Sequence, residues 1–249
     1  MLTQKRYDLI LELVNQKKTV AMSELVEKTG ASESSIRRDL LALQNMGMLK
    51  RVHGGAMTIR NEEHAAEEGM DAKVQKNVPE KEKIARCAAV LIQEHDFVFI
   101  DAGTSTEKLI DCIDPHIKAI FVTNGIEHGK KLIKKGIKTY IIGGKIRPLT
   151  EAIVGTEAVE SLKKYNFTKC FIGTNGITVE NGYTTPDFEE AALKREAMRR
   201  SYMKVILADH TKFGRVQALS FGAIDSACVI TDKLPEKRFL DATVIKEAK

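Results

Sequence analysis

Six times between residues 97 and 232, a short apolar run stops at a polar or glycine-rich turn. The runs are FVFID (97–101), AIFVTN (119–124), TYIIGG (139–144), KCFIGTNG (169–176), KVILAD (204–209) and SACVITD (226–232), and ATVIKE (242–247) adds a seventh apolar stretch. Apolar runs without alternation are what strands covered on both faces require. Helical patterns separate them: 80–93, STEKLIDCI, GIEHGKKLIKKG, AVESLKKY and the long DFEEAALKREAMRRSY over 187–202. Short buried strands alternating with helices predict an α/β domain built on a parallel, doubly wound sheet. In such a sheet, ligands bind beyond the carboxyl ends of the strands.

The first 58 residues read differently. Tyr7, Ile10, Leu11 and Val14 fall at helical spacing after Thr3, and KKTV ends that helix. Ser23 caps a second helix with Leu25 and Val26 inward, and Gly30 closes it. Ser32 opens a third, with Ile36, Leu40 and Leu43 on one face, and Gly47 ends it. LKRVHGGA (49–56) then alternates up to a Gly-Gly turn, as a strand pair does. Three short helices and a basic β wing describe a winged helix-turn-helix, whose third helix lies in the DNA major groove.

In SESSIRRDL (32–40), Ile36 and Leu40 point inward, so Arg37 and Arg38 lie on the outer face. From there they reach phosphates or guanine edges, and Asp39 is placed to orient one of them. Ser32, Ser34 and Ser35 sit at the positive helix terminus, where hydroxyls and N–H groups hold phosphate oxygens. Lys50, Arg51 and His53 supply the wing. Two surface arginines on a solvated helix would explain the RR pair alone. They do not explain the turn, the helix pattern and the wing together.

Charge agrees. Of the net +5, residues 1–60 hold ten Lys/Arg against six Asp/Glu, and residues 61–249 hold 29 against 28. A basic head ahead of a nearly neutral body suits a polyanion partner. The organisation is therefore a DNA-binding domain over 1–58, a polar linker over 59–79 and an effector domain over 80–249. Part of the linker, HAAEEGMDAK, has modest helix propensity.

The strand ends of the body gather one kind of chemistry. FVFID runs through Asp101 into AGTSTEKL, where Gly103 permits close approach and Thr104, Ser105 and Thr106 offer hydroxyls and N–H groups at a helix start. Thr123 and Asn124 end the second run, and Gly143 and Gly144 the third, followed by Lys145 and Arg147. Gly173 and Asn175 end the fourth, and Asp209 with Lys212 the fifth. The long helix brings Asp187, Glu190 and Lys194 nearby. Each alone is an ordinary turn or capping residue; their recurrence at five strand ends carries the reading. Cations that neutralise a phosphate, with carboxylates and amides for hydroxyls, suit a sugar phosphate.

Other classes recede. No GxxxxGK[ST] or GxGxxG occurs, so neither a Walker loop nor a dinucleotide turn is indicated. Cys87, Cys112, Cys170 and Cys228 stand far apart without a CxxC pair, which argues against a zinc site and for reduced cytosolic thiols. No run of 18 apolar residues and no signal-peptide core is present, so no membrane association is expected. No cofactor, metal or catalytic residue is indicated. The competing reading is an isomerase with a basic head, in which Asp187, Glu189, Glu190 or Asp209 would serve as the base.

SIRRDL followed by RVHGGA resembles the signature of DeoR-type transcription regulators. The body resembles their sensor domain, itself similar to sugar-phosphate isomerases, with DAGTST, VTNG, IIGGKIR, IVGTE, FIGTNGI and ADHTKFG in the family's order. The resemblance covers nearly the whole chain. It implies a repressor that binds operator DNA and is released by a sugar phosphate; the small footprint of one head adds the expectation of a dimer or tetramer, and the reduced thiols that of a cytoplasmic protein. ASESSIRRDL, LKRVHGGA and GTNGITVENGYTTPDFEEAALK lean towards family members that govern fructose uptake and phosphorylation and respond to fructose 1-phosphate. DHTK and TEAIVG, which adds Glu151 to the effector set, resemble members that respond to tagatose 6-phosphate. Ser35 stands where members usually carry threonine, and GTST where GTTT is common; both changes keep the hydroxyl.

Overall fold

The computed structural model describes residues 3–17, 19–45, 48–52, 54–58 and 69–249. His53 of the expected wing, Gly47 and residues 59–68 of the expected linker lie outside them. Contacts divide the chain into two units, 1–65 and 66–249.

The first unit runs α1 (Thr3–Lys17), β1 (Thr19–Ala21), α2 (Met22–Thr29), α3 (Glu33–Asn45), β2 (Leu49–Val52) and β3 (Gly55–Thr58). Its core is the predicted one: Ile10, Val14, Leu25, Ile36, Leu40 and Leu43 are fully or almost fully buried. Gly30 closes α2 at φ 66°, a left-handed cap that favours glycine, and its N–H donates to the Val26 carbonyl at 2.9 Å. The wing gains a strand that the sequence did not disclose. β1 pairs antiparallel with β3, giving the order β1-β3-β2. That pairing also corrects the start of α2. The helix begins at Met22 after Ala21, not at a Ser23 cap, because the Met22 N–H donates to the Gly54 carbonyl at 2.7 Å.

The second unit begins with α4 (Met70–Gln75) and α5 (Val78–Ala89), then β4 (Phe97–Ile100), α6 (Thr104–Cys112), β5 (Ile120–Thr123), α7 (Ile126–Lys134) and β6 (Thr139–Ile141). A hairpin of β7 (Lys145–Arg147) and β8 (Ala152–Val154) leads to α8 (Thr156–Leu162) and β9 (Phe167–Gly173). There follow β10 (Gly176–Thr178), β11 (Gly182–Thr185), α9 (Phe188–Arg199), β12 (Ser201–Leu207), β13 (Leu219–Gly222), β14 (Cys228–Thr231), α10 (Lys237–Leu240) and β15 (Ile245–Glu247). α4 falls within the span expected as linker.

Seven strands form one parallel sheet in the order β15-β14-β12-β9-β4-β5-β6. Alternate residues of each strand feed opposite faces. Val98, Ile100, Phe121 and Phe171 pack with Ile84 of α5, Leu109 of α6 and Leu132 of α7. Phe99, Val122, Cys170 and Ile172 pack with Leu162 of α8 and Leu193 and Ala197 of α9. Both faces are covered by helices, which is the doubly wound arrangement. A small antiparallel sheet, β10-β11-β13, sits beside the second face. There the buried Tyr183 hydroxyl donates within 2.7 Å of the Ile224 carbonyl and 2.9 Å of the Ala227 carbonyl.

Candidate nucleic-acid interface and effector site

The outer face of α3 is polar and open. Ser32, Ser34, Arg37 and Arg38 are exposed, as are Lys50 and Arg51 on β2. Ser32 caps the helix: its hydroxyl accepts from the Ser35 N–H at 3.3 Å and lies 3.1 and 3.0 Å from the Ser34 and Ser35 hydroxyls. Arg37 pairs with Glu33 one turn earlier at 2.6 Å. Asp39 does not orient either arginine. It is buried, and it holds Arg6 of α1 in a fork, with Arg6 Nη2 3.0 Å from its Oδ1. An inward carboxylate at this position ties α3 to α1, and both arginines are left facing out.

In the second unit all seven strands run one way, so their carboxyl ends share an edge. From β4 the chain winds out through β5 and β6, and from β9 it winds the other way through β12, β14 and β15. The reversal lies between β4 and β9, where such sheets open a crevice. Asp101, 2% exposed, follows β4 at that point. Its Oδ2 accepts from the Gly173 N–H at 3.0 Å and from the buried Lys194 ammonium, which also donates to the Gly173 carbonyl at 3.1 Å. Burial pushes the Asp101 carboxyl up, and the Lys194 charge opposes it.

The turn after Asp101 is held from beneath. The Ala102 N–H donates to Asn124 Oδ1 at 2.8 Å, and Asn124 Nδ2 reaches the Ile153 carbonyl at 3.4 Å. Thr106 is buried, its hydroxyl 2.6 Å from the Asp101 carbonyl and 3.2 Å from His128 Nε2. The Gly103 N–H donates to the same Nε2 at 3.4 Å. Burial takes the His128 imidazole down to about 4, so the ring is neutral and its Nε2 accepts. A Cβ at Gly125 would stand 2.5 Å from His128 Nδ1, which leaves room only for glycine. Thr106 and the Thr123 hydroxyl, which accepts from the Gly125 N–H at 3.0 Å, therefore shape the turn. Thr104 and Ser105 remain partly exposed at the start of α6.

A second cluster joins α9 to the β7–β8 hairpin. Asp187 caps α9, accepting from the Glu189 and Glu190 N–H groups at 3.0 Å each, and its other oxygen accepts from Arg147 Nε at 3.1 Å. Glu190, 8% exposed, accepts from Thr150 at 2.8 Å and from Arg147 and Thr185 at 3.3 Å each. Thr185 also lies 3.3 Å from Asn175 Oδ1. Lys145 stands apart, paired with Glu189 at 2.8 Å in the open. Gly143, Gly144 and Glu151 are exposed, and Glu151 takes a left-handed φ of 51°.

The third cluster lies past β12. Asp209 is 1% exposed. One of its oxygens caps a short 3-10 turn, accepting from the Thr211 N–H at 3.0 Å and from the Thr211 hydroxyl. The other, Oδ2, is buried without a hydrogen bond, and Lys212 stands 3.9 Å away, too far to donate one. Lys81 of α5 is 4% exposed and feels the charges of Asp209, Lys212, Lys108 and Glu107. Burial pulls its ammonium down to about 8. A buried carboxylate oxygen lacking a donor, beside buried and half-buried lysines, fits a ligand hydroxyl next to an anion.

Lys81, His128, Thr150 and Thr185 were not singled out from the sequence. Lys81 had a signal: it stands three and four residues before Ile84 and Ala85, in the buried stripe of α5. His128 had none, since its role depends on a turn 25 residues away in the chain.

A winged helix-turn-helix joined to a doubly wound domain with charged residues gathered at the carboxyl ends of its strands defines a two-domain, one-component transcription regulator. The chain belongs to the DeoR family: residues 6–62 match the DeoR-like helix-turn-helix domain and residues 76–233 the DeoR C terminal sensor domain. It is 40% identical to the uncharacterized HTH-type transcriptional regulator FruR of Bacillus subtilis (strain 168), over all of both chains. It is 35% identical to the lactose phosphotransferase system repressor of Staphylococcus aureus (strain N315), over 94% of each. Among solved structures, ribose 5-phosphate isomerase A of Methanocaldococcus jannaschii aligns over 55% of each chain at 12% identity and a TM-score of 0.43. No described helix is long and apolar enough to cross a membrane.

Proposed function

We propose that the protein is a cytoplasmic repressor of a sugar-utilisation operon, released from its operator by a sugar phosphate, with fructose 1-phosphate as the first candidate. The observation that carries the sugar-phosphate reading is the crevice at the β4–β9 reversal. It has a helix start with partly exposed hydroxyls, a buried Asp209 oxygen that lacks a donor with Lys212 3.9 Å away, the buried Lys81 that feels the Asp209 charge, and the carboxylates of Asp187 and Glu190. Lys81 and Lys212, with the α6 turn at Thr104 and Ser105, neutralise and hold the phosphate. Asp209, Asn175 and the Arg147–Asp187–Glu190 group meet the hydroxyls.

On the head, Arg37 and Arg38, with Ser32, Ser34 and Ser35, enter the major groove, while Lys50 and Arg51 meet phosphates from the wing. Two heads of a homo-oligomer read paired half-sites. The names of the relatives support both halves of this reading: one is a phosphotransferase-system repressor and one is called FruR.

The test is gel-shift binding to the DNA upstream of the protein's own gene, with fructose 1-phosphate, tagatose 6-phosphate or fructose 6-phosphate added in turn. Release by fructose 1-phosphate alone supports the fructose operon. Release by tagatose 6-phosphate alone moves the assignment to that sugar. DNA binding that none of the three disturbs overturns the effector assignment. Turnover of any of them in the same incubations would return the isomerase reading.

A further inference from the structure

The six-residue helix α4 is tied at both ends to the crevice. At its start, the Met70 N–H donates to the Leu149 carbonyl at 3.3 Å. Leu149 sits in the β7–β8 turn between Arg147 and Thr150, the two residues that engage Asp187 and Glu190. Glu151, next along, holds a left-handed φ of 51°, and its N–H returns to the Arg147 carbonyl at 2.8 Å. The turn therefore has one tight shape, set by the carboxylates that Arg147 and Thr150 grip.

Near the other end of α4, the Lys73 carbonyl accepts from the Lys81 ammonium. Lys81 is the buried lysine that also feels the charges of Asp209 and Lys212. The Lys76 N–H donates to the same Lys73 carbonyl at 3.3 Å and closes the helix. Each tie of α4 thus ends on a residue one step from the crevice, and α4 is the first described element after Thr58 of the head.

We propose that α4 is the release element. A sugar phosphate seated at the strand ends draws Lys81 from the Lys73 carbonyl and re-seats the β7–β8 turn, which loosens α4, and operator affinity falls with it. This rests on the sugar-phosphate reading of the crevice. The chemistry favours the exchange. A phosphate oxygen is a stronger acceptor for an ammonium than a neutral carbonyl is, because both partners are charged. A helix of six residues has little stability of its own and depends on such ties.

The experiment is hydrogen exchange on the full chain, with calorimetry on the same samples, using fructose 1-phosphate, tagatose 6-phosphate and fructose 6-phosphate. For whichever sugar binds, amides of residues 70–77 should exchange at least tenfold faster in the bound state, while α5 and the sheet exchange more slowly. Unchanged or slower exchange over 70–77, with binding heat present, overturns the release element and leaves the effector reading standing. Absence of binding by all three overturns the effector reading, and this inference with it.

Met70→Pro supplies the second arm. Proline is tolerated at the first position of a helix, and Gly69 at φ −60° and ψ 164° already has the conformation that proline requires before it. The substitution deletes the N–H that reaches Leu149 together with the half-buried Met70 side chain, and Met70→Ala, which keeps the N–H, is its control. Operator affinity without sugar should drop several-fold, sugar affinity should rise because the ties no longer have to be broken, and the further loss on adding sugar should shrink. Ala72→Gly, at an exposed position of the same helix, should act in the same direction if Met70→Pro fails to fold. Wild-type operator affinity and a wild-type sugar response in the folded variant count against the proposal.

Discussion

At the scale of single residues, the informative groups are those buried with a charge. Lys194 and Asp101 form such a pair at the carboxyl end of β4. Lys194→Met leaves a buried carboxylate without its partner, a loss of about 3–5 kcal/mol. Urea melts at neutral pH should show that loss, and Asp101→Asn in the Lys194→Met background should recover much of it. Equal stability of the wild type and Lys194→Met would mean that the pair is not ionised. Lys81 makes a second prediction. Its ammonium is held down to about 8, and a bound phosphate favours the charged form. Above that pH the free protein holds Lys81 neutral, so binding must take up a proton. Affinity for fructose 1-phosphate should therefore be flat from about pH 7 to 7.5, above the second ionisation of its phosphate at about 6, and fall several-fold by about pH 9.5. Lys81→Met should bind more weakly with no such fall, and a shared pH profile would remove Lys81 from the phosphate. Asp101 and Lys194 were legible as strand-end and helix residues. Lys81 was masked by its neighbours in PEKEKIA, where charge in sequence concealed burial in space.

At the scale of elements, long and strongly patterned segments were readable, and short ones were not. α3 could be placed from Ser32, Ile36, Leu40 and Leu43, and the sheet from its uninterrupted apolar runs. β1, β10 and β11 have three or four residues each, too few for a period of two to show. Their pairing is fixed by distant partners, such as Val20 opposite Ala56. The long helix was read to Tyr202, but α9 stops at Arg199. Arg199 and Arg200 would both continue a helix, and the stop is tertiary: Ser201 pairs with Phe167 at the start of β12. Asp39 failed for a similar reason, since only the packing of α1 on α3 shows that it belongs to Arg6. The corrected helix sharpens the DNA prediction. Arg38 has no partner among the described residues, whereas Arg37 is engaged by Glu33. If Arg38 meets a phosphate, Arg38→Ala lowers the slope of log affinity against log salt by about 0.9 and weakens all sequences alike. If it meets a guanine, the slope holds and discrimination at one base pair falls by about 1–3 kcal/mol. A variant unchanged in both respects would take α3 out of the groove.

At the scale of the whole molecule, the two units have separate cores: one around Ile10, Leu25, Ile36 and Leu40, the other on the two faces of the parallel sheet. Any influence of a sugar phosphate on DNA must cross between them as a difference in binding free energy, and that difference is reciprocal. If the sugar weakens operator binding by some factor, the operator must weaken sugar binding by the same factor. The expectation can be checked on one preparation by titrating fructose 1-phosphate into the free protein and into the protein saturated with operator. A tenfold effect in the gel shift, about 1.4 kcal/mol, requires a tenfold weaker sugar constant in the second titration. Calorimetric unfolding gives an independent view. A ligand that binds one unit raises the melting of that unit, by about 2.7 kcal/mol at a hundredfold excess over its dissociation constant. Sugar alone should move the larger transition and operator alone the smaller. Together they should stabilise the protein less than the sum of the two, by the coupling energy measured in the titrations. Additive shifts with equal sugar constants would mean that the two sites do not communicate, and the regulator would then need some route to release other than the sugar.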